Sequence, residues 1–230
     1  MKVLVACEES QTVCKAFRAR GHEAYSCDIQ ECSGGHPEWH IKGDALNILY
    51  GYKGANYVFE TQDGATHYVP KAWDLVIAHP PCTYLAPAGA CNIPKHPERI
   101  LLGEKAADFF NCFVEYAVKN GKKVCIENPP PMKRFDLPKY SQIVRPWMFG
   151  DVNNKPIALW LFSLPKLYPT NIVEKHGEMV YWTYKKTGEK KSCSKWYNTD
   201  TANHGKHRSK TFPGIAKAMA EQWGSLEVQE

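Results

Sequence analysis

Several features are missing from this 230-residue sequence, and each absence argues against a class of protein. There is no apolar run long enough to cross a bilayer, which argues against a membrane-spanning protein. The opening residues, MKVLVACEES, contain only a short apolar stretch before two acids, which predicts a buried strand and not a signal peptide. Internal repeats and low-complexity tracts are also missing. We therefore expect a monomeric, cytoplasmic globular protein with no membrane partner.

The cysteines lack the regular spacing of a secreted disulfide scaffold. Nine of them, an odd number, are scattered along the chain, so we expect most to be reduced and buried. Cys27, Cys32, His36 and His40 fall within 14 residues and all four could bind zinc. The second half of a zinc-finger pattern is absent, however, and Cys27 falls inside a predicted strand. We therefore expect no metal.

The charge is modest overall but unevenly distributed. The formal net charge is +5, and the segment 174–210 carries eight Lys and one Arg against three Glu and one Asp. Aromatic residues alternate with these charges, and a Thr187-Gly188 turn signal predicts a small β-hairpin. Phosphate neutralisation combined with base stacking favours nucleic acid as a partner, DNA in particular. A plain solvated hairpin is the alternative.

Apolar runs alternate with amphipathic stretches, which predicts an α/β fold with a mostly parallel sheet and helices on both faces. Because ligands of such sheets lie at the carboxyl ends of the strands, we look for the site there. The predicted elements are strands at 2–6, 23–27, 73–78, 122–126 and 155–162, a third strand end or a turn at 40–44, helices at 12–20, 97–120 and 214–223, and a surface hairpin at about 50–70.

Two proline-rich loops follow predicted core strands and carry reactive side chains. Cys82 follows two prolines after the strand 73–78, and Glu127 begins Glu-Asn-Pro-Pro-Pro after the strand 122–126. Adding a group to C5 of a pyrimidine requires a thiolate that attacks C6 and a group that protonates N3. Cys82 and Glu127 fit these roles. Apolar surroundings should raise the pKa of Glu127, which would suit proton donation.

These residues carry a resemblance to a known family. Pro80-Pro81-Cys82 resembles the Pro-Cys motif of the C5-cytosine DNA methyltransferases, and Glu127-Asn128-Pro129, about 45 residues later, resembles their Glu-Asn-Val motif. The chain is similar in particular to short stand-alone members from phages and prophages, which share its Cys-Glu-x-Ser start, Ala-His-Pro-Pro-Cys core and Gly-Ile-Ala-x-Ala-Met-Ala helix. The resemblance implies a Rossmann-like, S-adenosylmethionine-dependent methyltransferase fold and methylation of cytosine at C5 in DNA, in the host cytoplasm if a phage encodes the chain.

The resemblance also implies roles for individual residues. Cys82 would be the nucleophile, Glu127 the N3 contact and Asn128 a residue that orients the pocket. Asp28 would bind the ribose hydroxyls and Asp44 would lie near the adenine, although either acid could instead cap a turn. The complete expected set has Glu8, Ser10, Asp28, Asp44 and Pro80 at the cofactor, and Pro81, Thr83, Arg145, Lys155 and Lys210 at the substrate.

The chain departs from the family pattern in three places. The first loop, Ala6 to Gln11, has no glycine where the family has Phe-x-Gly-x-Gly, and the Gln-x-Arg-x-Arg motif is missing, so that Arg145 or Lys155 would supply its charge. The target-recognition region is reduced to 171–208, a small basic insert between the catalytic domain, 1–170, and a C-terminal helical segment, 209–230. A free cytosine nucleotide as substrate, a transferred group other than methyl, and a catalytically silent nucleic-acid-binding protein all stay open.

Overall fold

The protein is built on a seven-stranded, mostly parallel sheet in a mixed α/β fold. The computed structural model describes residues 1–51, 57–69, 73–175, 177, 179–183, 187–194 and 210–226. Its strands are β1 (Lys2–Ala6), β2 (Glu23–Asp28), β3 (His40–Lys42), β4 (Tyr57–Glu60), β5 (Thr66–Val69), β6 (Leu75–Ala78), β7 (Lys123–Asn128), β8 (Gln142–Val144), β9 (Ile157–Phe162), β10 (Met179–Thr183) and β11 (Lys190–Ser194). Its helices are α1 (Thr12–Arg18), α2 (Ala45–Tyr50), α3 (Arg99–Asn120) and α4 (Pro213–Trp223).

The strand order is β3-β2-β1-β6-β7-β9-β8. The first five of these strands run parallel, whereas β9 runs antiparallel to both β7 and β8. If the separate β4–β5 hairpin is set aside, this is the doubly wound order 3-2-1-4-5-6 with one antiparallel strand inserted before the last. The chain order reverses between β1 and β6. A ligand crevice is therefore expected at the carboxyl ends of these two strands.

Helices cover both faces of the sheet, as predicted. Alternate residues of β1 point to opposite faces. Val3 and Val5 pack in one core with α1 and α4, which contributes the fully buried Trp223. Leu4 and Ala6 pack in the other core with α2 and α3. Because α4 packs against α1, the C-terminal helix is part of the same body as the sheet.

Element boundaries follow the sequence signals closely. Helix α3 ends at Gly121, whose φ of 58° is left-handed and whose N–H donates to Ala117 O. The predicted strand at 155–162 is present as β9, which runs antiparallel to β7. Helix α2 and strand β8 were not predicted, and the 97–120 helix begins two residues later than expected, at Arg99.

Both predicted hairpins are present. Strands β4 and β5 flank a turn at Asp63-Gly64, and Phe59 and His67 pack against Tyr25 of β2. Strands β10 and β11 pair antiparallel in the basic segment, of which 195–209 lie outside the described residues. Among the described residues, no helix has both the length and the apolar character that crossing a membrane requires.

Candidate active site

A cavity of about 540 Å³ lies at the carboxyl edge of the sheet, where the strand order reverses. Its volume is within the range of small-molecule and cofactor sites. The loops that follow β1, β2, β3, β6 and β7 all contribute to its wall. It brings together Glu8, Ser10, Asp28, Asp44, Pro80, Pro81, Cys82, Thr83, Glu127, Asn128, Lys155 and Lys210, which is every expected site residue except Arg145.

Cys82 stands in a tight turn directly after the buried strand β6. Two prolines end the strand, because neither can donate a ladder hydrogen bond. The carbonyl of Cys82 accepts from the N–H groups of Leu85, at 3.1 Å, and Ala86, at 3.0 Å. Leu85 is fully buried and anchors the turn. The Cys82 side chain is partly exposed at the cavity wall and is not in a disulfide.

The register of β6 and β7 places His79 beside Glu127. Ala78 pairs with Ile126, so the next residues of these parallel strands are also neighbours. His79 Nδ1 lies 3.1 Å from Glu127 Oε2, and only 8% and 12% of the two side chains are exposed. The described part of the chain offers no hydrogen-bond partner for the buried His79 Nε2. The two loops thus form a polar contact inside the cavity.

This contact reverses the expected behaviour of Glu127. Burial alone would raise its pKa, as expected from the sequence, but the hydrogen bond and charge of His79 and the charge of Lys155 outweigh burial and lower it. Burial would conversely lower the pKa of His79, but Glu127 and, more weakly, Glu8 raise it. The expectation of a raised pKa was therefore wrong, because it considered burial without a partner. The two shifts together favour a protonated His79 beside an ionised Glu127.

Asn128 makes a second link between the same two loops. Its Nδ2 donates to Pro80 O at 2.7 Å, and the residue is 1% exposed. The other amide atom, Oδ1, is buried and has no hydrogen-bond partner among the described residues. Asn128 therefore fixes the backbone two residues before Cys82, which agrees with an orienting role.

The glycine-free first loop adopts backbone angles that usually favour glycine. Cys7 and Gln11 have φ values of 59° and 58°, both in the left-handed region. Between them, Glu8 accepts hydrogen bonds from the N–H groups of Val13, at 2.6 Å, and Cys14, at 3.2 Å. Burial raises the pKa of Glu8, although these two donors and the charge of His79 act in the opposite direction. Glu8 thus lines the cavity and also caps α1.

The first loop is held by the segment 33–36. Glu9 accepts from the side chain of Ser33, and Gln11 Oε1 accepts from the N–H of His36 at 3.0 Å. Gly34 packs so closely that an added Cβ would lie 2.5 Å from Gln11 Cβ. The contact between the first loop and the segment 33–36 therefore leaves no room for a side chain at position 34. Ser10 also lines the cavity, and its Oγ lies 3.2 Å from Thr12 Oγ1.

Two acids form the far end of the cavity. Asp28 ends β2, and its Oδ1 accepts from Gln30 N at 2.9 Å. Asp44 precedes α2, and its Oδ1 accepts from Leu46 N at 2.9 Å. Each acid thus makes the local cap considered as the alternative to ligand binding, while also lining the cavity. These bonds use one oxygen of each carboxylate, and a carboxylate has two.

Two lysine side chains also line the cavity. Lys155, only 9% exposed, precedes β9, and Lys210 precedes α4. Arg145 was expected at the substrate but does not line this cavity. Its Nη1 donates to the backbone and side-chain oxygens of Asn154, at 3.0 and 2.9 Å, so it stabilises the loop before β9. Of the two residues considered for the missing arginine motif, the structure brings only Lys155 to the cavity.

The zinc alternative finds no support in the geometry. His40 lies between Ser26 Oγ and Gln30 O, each 2.9 Å from one of its ring nitrogens. Cys27 is fully buried in β2. Within the described ranges, no group of three or more His, Cys, Asp or Glu side chains could hold a metal ion.

His79 is the main site residue that sequence reasoning did not identify. The signal was present: His79 and Glu127 each directly follow the apolar part of a predicted neighbouring strand. A parallel register that aligns the two strand ends places them side by side. Glu9, Gln30, Phe109 and Thr211 also line the cavity without having been assigned to it.

Comparison of the sequence with protein-family models and with curated proteins gave no match. The chemistry of the site therefore has to be argued from its residues and their geometry.

Proposed function

We propose that this protein is an S-adenosylmethionine-dependent enzyme that methylates cytosine at C5 in DNA through a covalent Cys82 adduct. The observation that carries the proposal is the joining of the Cys82 and Glu127 loops in one cavity. Two contacts link these loops: His79 contacts Glu127, and the next residue of each loop makes the second contact, Pro80 with Asn128. Chemistry at C5 needs this combination of a thiol and a proton-exchanging acid around one base.

The residues at the other end of the cavity suit an adenosine-containing cofactor. Asp28 and Asp44 follow adjacent strands, and a carboxylate oxygen of Asp28 can accept from ribose hydroxyls. The buried Asn128 Oδ1, for which the described ranges of the chain contain no hydrogen-bond partner, fits a wall that a ligand completes, since such atoms are rare in folded proteins. When bound, S-adenosylmethionine supplies a methyl group as an electrophile. Glu8, Glu9 and the two aspartates provide negative charge that suits the positive sulfonium and ammonium groups.

In the proposed mechanism, the Cys82 thiolate attacks C6 of the cytosine ring and electron density moves towards N3. Glu127 exchanges a proton with N3, which makes C5 nucleophilic. After C5 is methylated, a base removes the C5 proton, the bond between Cys82 and C6 breaks, and the aromatic ring is restored. Asn128 holds Pro80, and hence the Cys82 turn, in place throughout.

The substrate must present an unpaired cytosine. A base inside a duplex cannot reach a cavity at a sheet edge, so the target would be flipped out of its stack or arrive in a single strand. Lys155 and Lys210 line the same cavity as Cys82, and their charges would attract a phosphate attached to the base. The basic hairpin β10–β11 would add contacts to flanking phosphates.

The test is transfer of a labelled methyl group from S-adenosylmethionine, with duplex DNA, single-stranded DNA and free dCMP offered separately. The Cys82→Ser variant is compared with Cys112→Ser, because Cys112 is also partly exposed and not in a disulfide but lies on α3 outside the cavity wall. We expect label in DNA cytosine with the unaltered protein and with Cys112→Ser, and none with Cys82→Ser.

Other outcomes distinguish the alternatives. Label in dCMP alone would indicate that the substrate is a free cytosine nucleotide and not DNA. Cofactor binding in calorimetry without label in any substrate would contradict methyl transfer. Salt-sensitive DNA binding without turnover would favour a silent binding protein.

A further inference from the structure

His79 contacts the proposed N3 contact, Glu127, from the neighbouring strand. The 3.1 Å separation of His79 Nδ1 and Glu127 Oε2 is a hydrogen-bond distance, and the strand register aligns the two residues. Both line the same cavity as Cys82, which is three residues after His79. In the proposed complex, the side chain of Glu127 would therefore lie between His79 and N3 of the cytosine.

Charged groups from the surrounding elements act on this pair. Glu8 approaches His79 from the first loop and favours its protonated form, whereas Lys155, before β9, disfavours that form. Lys155 also favours the ionised form of Glu127. The Glu8 carboxylate itself accepts from two amides of α1 and so stays in place. These effects favour the state in which His79 is protonated and Glu127 is ionised.

Stability alone does not explain such a pair. Replacing a buried ion pair with apolar residues is often neutral or stabilising, because desolvation of the charges offsets their attraction. Groups whose titration is strongly perturbed by a partner inside a cleft are instead concentrated at functional sites. The buried His79 Nε2 without a hydrogen-bond partner in the described part of the chain is a further energetic penalty that a purely structural contact would avoid.

We propose that His79 is a positioning residue that stores the proton which Glu127 delivers to N3 of cytosine. The inference rests on the proposed function and adds the source of the proton. When the Cys82 thiolate forms its bond to C6, the Glu127 carboxylate takes the proton from His79 Nδ1 and passes it to N3, which leaves His79 neutral and Glu127 ionised. When the Cys82–C6 bond breaks, N3 returns the proton to Glu127, which passes it back to His79. No proton is gained or lost by the pair over one cycle.

The first test is the pH profile of kcat/KM for DNA, measured for the unaltered protein, His79→Gln and His96→Gln. His96 is the matched control because its Nδ1 lies 3.2 Å from Glu98 in an exposed His–Glu pair outside the cavity wall. In the unaltered protein, we expect activity to fall on the alkaline side as His79 loses its proton. In His79→Gln, Glu127 alone carries the proton, so this alkaline limb should move to lower pH by about one unit or more. At pH 7.5, kcat should fall about 100-fold with KM changed less than about threefold.

A second measurement does not depend on activity. Histidine ring-nitrogen NMR shifts of the whole protein, with the His79 signal assigned by its absence in His79→Gln, report where the proton resides. We expect His79 to titrate above an ordinary histidine, and to return towards the ordinary range in Glu127→Gln.

The outcomes separate the two proposals. Methyl transfer with the same alkaline limb in His79→Gln as in the unaltered protein would overturn the proton-storage role and leave the proposed function standing. A His79 signal that is unchanged by Glu127→Gln would overturn it as well. Absence of methyl transfer by the unaltered protein, despite cofactor binding, would overturn both.

Discussion

Replacing Asn128 with alanine tests how the two loops of the site are held together. The change removes the 2.7 Å hydrogen bond to Pro80 O at a position that is 1% exposed. Leaving a buried carbonyl without its donor costs about 1–3 kcal/mol. The same change removes the buried Oδ1, which has no partner in the described part of the chain and partly offsets the loss. We therefore expect a net loss of about 1–2 kcal/mol in the free energy of unfolding.

For a chain of this length, that loss corresponds to a fall in Tm of about 3–6 °C, measurable by calorimetry. The rate of methyl transfer should fall by more than the loss of stability alone would cause. Because the Pro80–Cys82 turn would lose its anchor, and a misplacement of about 1 Å can reduce rate about 100-fold, we expect kcat/KM to fall about 10- to 100-fold at a temperature where the variant is folded.

The matched control is Asn120→Ala. Asn120 Nδ2 also donates to a backbone carbonyl, that of Tyr116 at 2.9 Å, but it lies at the end of α3 and outside the cavity wall. Its loss should lower Tm slightly and leave transfer unchanged. If Asn128→Ala keeps both the Tm and the rate of the unaltered protein, the reasoning about the loop anchor is refuted.

Three further predictions follow from the surrounding contacts. Gly34→Ala should lower stability by about 1–3 kcal/mol in urea unfolding, because the new Cβ meets Gln11 at 2.5 Å; an unchanged midpoint would contradict the close packing of the first loop. Glu8→Gln should lower Tm by about 3 °C, because an amide has one acceptor oxygen and leaves one of the two α1 N–H groups without a partner; an equal or higher Tm would argue against a capping role. The Tm difference between the unaltered protein and His79→Gln should be largest at about pH 5–6.5. The stability that comes from the raised pKa of His79 is lost at higher pH, and the stability that comes from the lowered pKa of Glu127 is lost at lower pH. A difference that is constant from pH 4 to 9 would exclude the ion pair.

The main strands and long helices could be predicted because single residues mark where they end. Prolines end β6 and β7, and Asn120-Gly121 ends α3. Helix α2 was missed because it has only six residues, although Asp44, which caps it, was read as a ligand. Strand β8 has three residues and lies at the sheet edge, so its apolar pattern is too short to recognise.

Most residues that line the cavity could be predicted from the sequence, but the contacts among them could not. Cys82 and Glu127 were expected in one pocket because both follow core strands of a parallel sheet. The contact of His79 with Glu127 depends on strand register, which local sequence patterns do not specify, and the direction of the Glu127 pKa depends on that contact. Arg145 was assigned from its charge alone, whereas its guanidinium position is decided by Asn154.

Trapping the covalent adduct tests the central claim most directly. The protein, S-adenosylmethionine and a single-stranded oligonucleotide with 5-fluorocytosine are incubated together, since fluorine at C5 cannot be removed as a proton and elimination is blocked. The account predicts a denaturation-resistant complex whose proteolytic peptide carries the methylated base on Cys82, present also with Cys112→Ser and absent with Cys82→Ser. Methyl transfer to cytosine by the same preparation without any adduct at Cys82 would contradict the account.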